Sequence, residues 1–157
     1  EMAALREAGV SYEVVPGVTA AFAAAADFEL PLTLRGVSSS MVFTTGHDLK
    51  GGALPDWAKL AIAGATVAVY MGRSIAAEVA TRLIDAGLSP DTAVAVVENA
   101  SLASKRLFHG TLADLPALEA RSDLTGPVMT IIGDAVAGAR FDTSSALAVQ
   151  DRATVAA

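Results

Sequence analysis

Residues 65–74, with the sequence ATVAVYMGRS, constrain the fold more than any other segment of the chain. The first half is a run of β-branched, small and aromatic residues, which is typical of a buried strand, and Gly72 then leads straight into a helical pattern. A strand that passes through a glycine turn into a helix ends at the carboxyl edge of a sheet, where open α/β proteins bind small ligands. We therefore expect Tyr70 and Met71 to lie at a ligand site.

Strand and helix patterns alternate along the rest of the chain. Helix 74–86 has apolar residues at four-residue intervals and Ser74 as its predicted N-cap, and helix 55–62 is expected to bury Trp57 and Leu60. Strand 105–109 follows strand 92–97 without a helix between them, which indicates one antiparallel pairing. The pattern predicts an α/β fold with a mixed, mostly parallel sheet flanked by helices. The other predicted strands are 11–15, 41–45, 66–70 and 128–132, and the other predicted helices are 1–10, 18–26 and 111–120.

The composition argues against several classes of function. The chain of 157 residues has a formal net charge of −6, which disfavours general binding to nucleic acid. No apolar run is long enough to cross a membrane. Cysteine is absent, which excludes disulfides and thiolate metal sites, and His47 and His109 are far apart in sequence, so no metal site is predicted. These features predict a cytoplasmic protein that binds neither nucleic acid nor a membrane.

Several short segments have more than one interpretation. Thr19 and Ala20 follow a Pro-Gly turn, where the Thr19 hydroxyl either satisfies the start of a helix or forms part of a small pair that leaves room for a ligand. Arg35 lies in a predicted loop, where most arginines are solvated. The chain has no GxGxxG, no P-loop and no nucleophile elbow. The residues by themselves indicate a ligand-binding α/β domain and leave the ligand open.

Eight short motifs occur in order along residues 9–136. Together they resemble the tetrapyrrole methylase family, and the TGH and ENAS segments resemble the members that methylate uroporphyrinogen III rather than later precorrins. The motifs are SYEVVPGVTAA at 11–21, LPLT at 30–33, FTTGH at 43–47, VYMG at 69–72, VENAS at 97–101, HGTL at 109–112, GPV at 126–128 and IIG at 131–133.

The resemblance implies a cofactor and a set of residues around it. Members of the family fold into two α/β lobes, bind S-adenosylmethionine in the cleft between them and are commonly homodimers. No metal is implied. Arg35 matches an arginine that faces the substrate carboxylates in relatives. The positions that match cofactor-contacting residues are Thr19, Ala20, Tyr70, Met71, Ala100, Gly126 and Pro127.

The chain also departs from the family pattern. The family's first lobe carries a Gly-Pro-Gly-Asp type loop, a later Gly-Gly-Asp-Pro segment and the residues proposed for proton transfer, and neither motif occurs here. We therefore interpret residues 1–30 as the end of the first lobe with its hinge helix, 31–136 as the second lobe and 137–157 as a poorly ordered tail. No catalytic residue is assigned, and the chain is expected to be inactive without the first lobe.

The implied reaction is methyl transfer from S-adenosylmethionine to pyrrole carbons of uroporphyrinogen III, giving precorrin-2 for the sirohaem or cobalamin branch of tetrapyrrole biosynthesis. Because this substrate carries many carboxylates and the chain is acidic, a locally basic cleft is expected, with Arg35, Arg73, Lys105 and Arg106 as candidates. Two alternatives stay open. One is methylation of another precorrin, a protein or an RNA by a related enzyme, and the other is a non-catalytic dimerisation or ligand-binding module.

Overall fold

A mixed sheet forms the centre of the computed structural model, which describes residues 1–49, 54–139 and 146–147. Within these residues the sheet has five strands in the order β1-β2-β5-β3-β4. The boundaries of β1, β2 and β5 coincide with the predicted strands 41–45, 66–70 and 128–132. The strands are β1 Met41–Thr45, β2 Thr66–Tyr70, β3 Ala93–Glu98, β4 Arg106–Thr111 and β5 Val128–Ile132.

Helices and single helical turns connect the strands. Two of the turns adjoin longer helices, since Arg73–Ile75 leads into α4 and Leu112–Asp114 precedes α5. The predicted helix 111–120 is therefore a 3-10 turn followed by one short helix. The α-helices are α1 Met2–Glu7, α2 Ala20–Asp27, α3 Asp56–Ile62, α4 Ala76–Asp85 and α5 Ala117–Ala120, and the other 3-10 turns are Gly46–Leu49 and Asp134–Gly138.

The sheet is mixed, as predicted, but the expectation of mostly parallel pairing is wrong. Only β1 and β2 pair in parallel within the described residues, whereas β2–β5, β5–β3 and β3–β4 are antiparallel. The three strands separated by helices, β1, β2 and β3, do run in one direction. The last strand, β5, then inserts between β2 and β3 in the opposite direction, so it replaces one parallel pairing with two antiparallel ones.

Apolar residues cover both faces of the sheet, and their period of two assigns each residue to a face. On β3, Val94 and Val96 pack into a core with α3, α4 and α5, whereas Ala95 and Val97 pack against α2 on the other face. The alanines of α2 let this helix approach the sheet closely. Trp57 of α3 is buried, as predicted. The layered α/β architecture therefore follows from the strand pattern.

Three local predictions differ from the structure. Residues 11–15 form no strand, and Val14 and Val15 are 66% and 77% exposed. Leu60, expected to be buried, is 48% exposed on the outer side of α3. Ser74 lies inside the 3-10 turn Arg73–Ile75 and is not an N-cap, since the N-cap residue of α4 is Ile75.

The end of the chain is described only in part. Residues 140–145 and 148–157, most of the predicted tail, lie outside the described residues, as do residues 50–53. Ala146 forms a bridge beside His109 on β4, and Leu147 is 2% exposed in the core. At these two residues the chain packs on the sheet. Among the described residues, no helix combines the length and apolarity that crossing a bilayer requires.

Candidate functional site

A cleft of about 910 Å³ opens at one edge of the sheet. β2 and β3 run in the same direction, so their carboxyl ends meet at this edge, and β5 begins there because it runs in the opposite direction. The cleft is therefore built where two strands end and a third one starts. Its lining residues are Ala20, His47, Tyr70, Met71, Arg73, Ser74, Val97, Asn99, Ala100, Leu102, Glu119, Gly126, Pro127, Val128 and Met129.

The cleft brings together most of the site residues that the sequence predicts. Four separate segments contribute them: the start of α2, the end of β2, the loop after β3 and the loop before β5. Arg35 is not among the lining residues and lies exposed in the tight turn that Leu34 and Ser38 close. The predicted cofactor residues that line the cleft are Ala20, Tyr70, Met71, Ala100, Gly126 and Pro127.

Thr19 lies beside the cleft and its side chain takes an unexpected partner. It is the N-cap residue of α2 by position, but its hydroxyl makes no capping bond. The Thr19 Oγ1 is instead hydrogen-bonded to the Tyr70 hydroxyl. The interpretation of this hydroxyl as a helix cap is therefore wrong. The bond ties the start of α2 to the last residue of β2.

Two lining residues adopt the left-handed backbone region. Met71 has φ +52° and Asn99 has φ +55°. Asn tolerates this conformation, because its short polar side chain can bond locally, but for methionine it is rare. Such strain persists only where surrounding contacts determine the backbone, and it is common at ligand sites. Met71 is also 61% exposed, so an apolar side chain points away from the core at the cleft.

The loop of residues 121–127 forms one wall of the cleft, and the Glu98 carboxylate binds this loop. Glu98 is 2% exposed, and one of its carboxylate oxygens accepts the backbone N–H groups of Thr125 and Gly126, each at 2.6 Å. Its other oxygen accepts Arg106 Nε–H at 2.6 Å. The Arg106 guanidinium, followed by the Gly126 N–H, lowers the pKa of Glu98 despite its burial.

Arg73 and Glu119 join this wall to the end of β2. The Arg73 guanidinium donates to the carbonyls of Leu124 and Arg121 at 2.6 and 2.7 Å. Glu119, assigned from sequence to a solvated helix face, accepts the N–H of Ala77 at 2.8 Å and so satisfies the start of α4. Both contacts join residues that are far apart in sequence, so local sequence patterns could not predict them.

A third anchor holds the loop after β3. Asp27, at the end of α2, accepts the Ser101 N–H at 2.8 Å and Lys105 Nζ at 2.5 Å. Burial opposes the charge on Asp27, but Lys105 and the Ser101 N–H lower its pKa overall. Lys105 and Arg106 pair with carboxylates, so they do not supply the free positive charge that was expected of them. Arg73 lines the cleft and donates to two neutral carbonyls, so these bonds leave its positive charge unbalanced and it remains a candidate for a basic cleft.

The lining residues that the sequence did not assign to the site are His47, Ser74, Val97, Asn99, Leu102, Glu119, Val128 and Met129. Val97, Val128 and Met129 belong to predicted strands, where an apolar residue by itself does not indicate a cleft. Asn99 lies inside the ENAS segment, and a polar residue directly after a buried strand could have been used to predict its place in the site. In the part of the chain that the structure describes, no group of three His, Cys, Asp or Glu side chains could hold a metal ion.

Known proteins resemble the chain in sequence. A uroporphyrinogen-III C-methyltransferase from Paracoccus denitrificans is 41% identical over 138 residues, which cover 87% of this chain and 48% of that protein. A siroheme synthase from Edwardsiella ictaluri is 43% identical over 136 residues, covering 87% of this chain and 29% of that protein. The chain thus spans about half the length of the first protein and under a third of the second.

Solved structures share the fold. A cobalt precorrin-4 methyltransferase superimposes with a TM-score of 0.73 at 30% identity, covering 86% of this chain and 57% of that one. A uroporphyrin-III C-methyltransferase from Thermus thermophilus, in complex with S-adenosylhomocysteine, has a TM-score of 0.67 at 32% identity, covering 87% and 58%. The family model described as Tetrapyrrole (Corrin/Porphyrin) Methylases matches residues 1–116. The chain therefore belongs to the tetrapyrrole methylase family.

Proposed function

We propose that this chain is part of an S-adenosylmethionine-dependent methyltransferase that methylates uroporphyrinogen III to precorrin-2 in tetrapyrrole biosynthesis. One observation carries the proposal: Ala20, Tyr70, Met71, Ala100, Gly126 and Pro127, which match cofactor-contacting positions of the family, line one cleft although they come from four segments. Further support comes from the 41% identity to a curated uroporphyrinogen-III C-methyltransferase and from the solved relative that holds S-adenosylhomocysteine.

The cleft suits a nucleoside in size and chemistry. Its volume of about 910 Å³ lies in the usual range for small-molecule sites. Ala20, Ala100 and Gly126 have little or no side chain, so a flat ring can approach the backbone closely, and Met71 and Leu102 supply apolar contact. When bound, S-adenosylmethionine supplies a methyl group on a good leaving group. The residues of the cleft would then contribute mainly alignment of the reacting groups and exclusion of water.

The substrate is the less constrained part of the proposal. Methylation of a precorrin is the second candidate, and the superposition on the cobalt precorrin-4 methyltransferase, with a TM-score of 0.73, favours it. The sequence identity to that enzyme is 30%, against 41% to the uroporphyrinogen-III C-methyltransferase, so we rank uroporphyrinogen III first. Arg35 as a contact for substrate carboxylates, a homodimer and a cytoplasmic location stay predictions.

Met71 offers a direct test of the cofactor site. We expect Met71→Asp, made in a chain of the relatives' full length, to abolish binding of S-adenosylhomocysteine in isothermal titration calorimetry, because a carboxylate would replace apolar contact at the cleft. The fold should persist, since Met71 has φ +52° and Asp adopts this region more readily than Met does.

Leu60→Asp is the matched control, because it changes another exposed apolar residue to Asp on α3, outside the cleft. Equal affinity of Met71→Asp and the unaltered chain would refute the placement of the site. Methyl transfer requires a chain of the relatives' full length, for which uroporphyrinogen III and a precorrin should be compared as acceptors. Faster transfer to the precorrin would favour the second candidate.

A further inference from the structure

Glu98 is the one charged residue that is buried in the described part of the chain. Burying a carboxylate costs free energy, and an apolar residue of similar size would complete the core at lower cost. Glu98 is the last residue of β3, directly below the cleft. Its carboxylate accepts hydrogen bonds from Arg106 and from the N–H groups of Thr125 and Gly126. The carboxylate is therefore arranged around the loop before β5.

The contacts of Glu98 determine where that loop lies. Two backbone N–H groups of consecutive residues converge on one oxygen, which fixes both the position and the orientation of the peptide between them. On the opposite side, the Asn99 N–H donates to the Pro127 carbonyl at 3.0 Å. Gly126 has no room to shift toward β3, because a Cβ there would lie 2.0 Å from Asn99 Oδ1.

Arg106 extends the same arrangement along the loop. Besides Glu98, its guanidinium donates to the Asp123 carboxylate at 2.8 Å and to the Asp123 carbonyl at 2.6 Å. Arg121 donates to the same carboxylate at 2.9 Å and stacks 4.3 Å above the Phe108 ring. The two carboxylates and two guanidinium groups balance in charge, so the cluster holds the loop without offering net charge to the cleft.

We propose that Glu98 is a positioning residue for the cofactor wall, and that it acts by holding the Thr125 and Gly126 amides so that residues 126–127 face the nucleoside. The inference rests on the proposed function, since the nucleoside belongs to S-adenosylmethionine. An apolar residue at position 98 could fill the core, but it would leave both loop amides without an acceptor and the wall free to move. This requirement explains why a charge is buried here.

Glu98→Gln tests the proposal with little change in shape. An amide can present one oxygen, so either the loop N–H groups or Arg106 must face an NH₂ group, and at least one of the bonds is lost. We expect the affinity for S-adenosylhomocysteine, measured by calorimetry on a chain of the relatives' full length, to fall at least about tenfold, which corresponds to the loss of one hydrogen bond to a charged group. The Thr125 and Gly126 amide protons should also shift upfield and exchange faster in NMR spectra.

Val94→Ala is the control for a purely structural effect. Val94 is fully buried at the other end of the same strand, so the change lowers stability without touching the loop. We expect its affinity for S-adenosylhomocysteine and its Thr125 and Gly126 signals to match the unaltered chain. Unaltered affinity in Glu98→Gln would overturn the proposal, and so would an equal loss of affinity in Val94→Ala.

Amide hydrogen exchange in the unaltered chain tests the same two bonds without any substitution. Thr125 lies on an exposed part of the loop, so slow exchange of its amide requires the bond to Glu98. Exchange as fast as that of a free peptide at Thr125 and Gly126 would overturn the proposal even if Glu98→Gln did not fold. If the unaltered chain of the relatives' full length fails to bind S-adenosylhomocysteine, the cofactor assignment fails instead, and the NMR signals still decide whether Glu98 holds the loop.

Discussion

Gly126 lies against the Asn99 side chain where the two loops of the cleft meet, which makes Gly126→Ala an informative change. An added Cβ would lie 2.0 Å from Asn99 Oδ1, 2.6 Å from its Cγ and 2.8 Å from its Nδ2, whereas ordinary contact begins at 3.4 Å. The backbone at Gly126 is not in the left-handed region, so alanine is excluded only by its neighbour. The Asn99 side chain must therefore rotate away.

The cost of this rotation can be assembled from its parts. Asn99 loses the bond from its Nδ2 to Ser104 Oγ, which at 3.3 Å is long and contributes about 0.5–1 kcal/mol. A displaced side-chain torsion adds about 0.5–1.5 kcal/mol. Gly126→Ala should thus lower the free energy of unfolding by about 1–2.5 kcal/mol. Asn99→Gly removes the obstruction and suits φ +55°, so in that background the same change should cost under about 0.5 kcal/mol.

Urea unfolding of the four chains of this double-mutant cycle, followed by circular dichroism, measures the coupling. Gly17→Ala is the control for the effect of alanine on the unfolded chain, because a Cβ at Gly17 meets no atom within 4 Å. We expect a coupling free energy of about 1–2 kcal/mol between positions 126 and 99. Additivity within about 0.5 kcal/mol would refute the steric explanation.

Two further changes test the polar contacts around the cleft. Tyr70→Phe removes the partner of the Thr19 hydroxyl and should lower the free energy of unfolding by about 0.5–1.5 kcal/mol in urea; an unchanged value would show that the bond contributes nothing. Because the folded-state pKa of Glu98 lies below its ordinary 4.5, its contribution is present above that pH and is lost as the pH falls through the folded value. The unfolding free energy should therefore decline from about pH 5 to 3, less steeply in Glu98→Gln, and equal slopes would contradict this reasoning.

Much of the fold could be predicted from local pattern. The residues of β1, β2 and β5 form short runs rich in β-branched and apolar residues between turn signals, so their boundaries were predicted to the residue. The predicted start of helix 111–120 is also the observed start of a helical turn, where Asp114 accepts both the N–H and the hydroxyl of Thr111 at 2.8 Å in a capping box. These features depend on neighbours a few positions apart, which the sequence contains.

The order of the strands could not be predicted in this way. The pattern of β5 predicts that the strand is buried, but it does not predict which strands lie beside it. Because β5 inserts between β2 and β3, the prediction of a mostly parallel sheet was wrong. Strand pairing depends on contacts between residues far apart in the chain. The same limit applies to Leu60, whose apolar character does not reveal that its side of α3 is exposed in the described structure.

The candidate site also combines features that the sequence predicts with features that it does not. The sequence by itself determined which segments end at the ligand edge, because a strand that runs into a glycine turn and a helix has a defined direction, as at Tyr70 and Met71. Only the tertiary structure decided how those segments are held. The bonds of Glu98 to Thr125 and of Arg73 to Leu124 join residues 27 and 51 positions apart. Charged side chains such as these have no periodicity of their own, so their partners are settled only when the packed core brings the loops together.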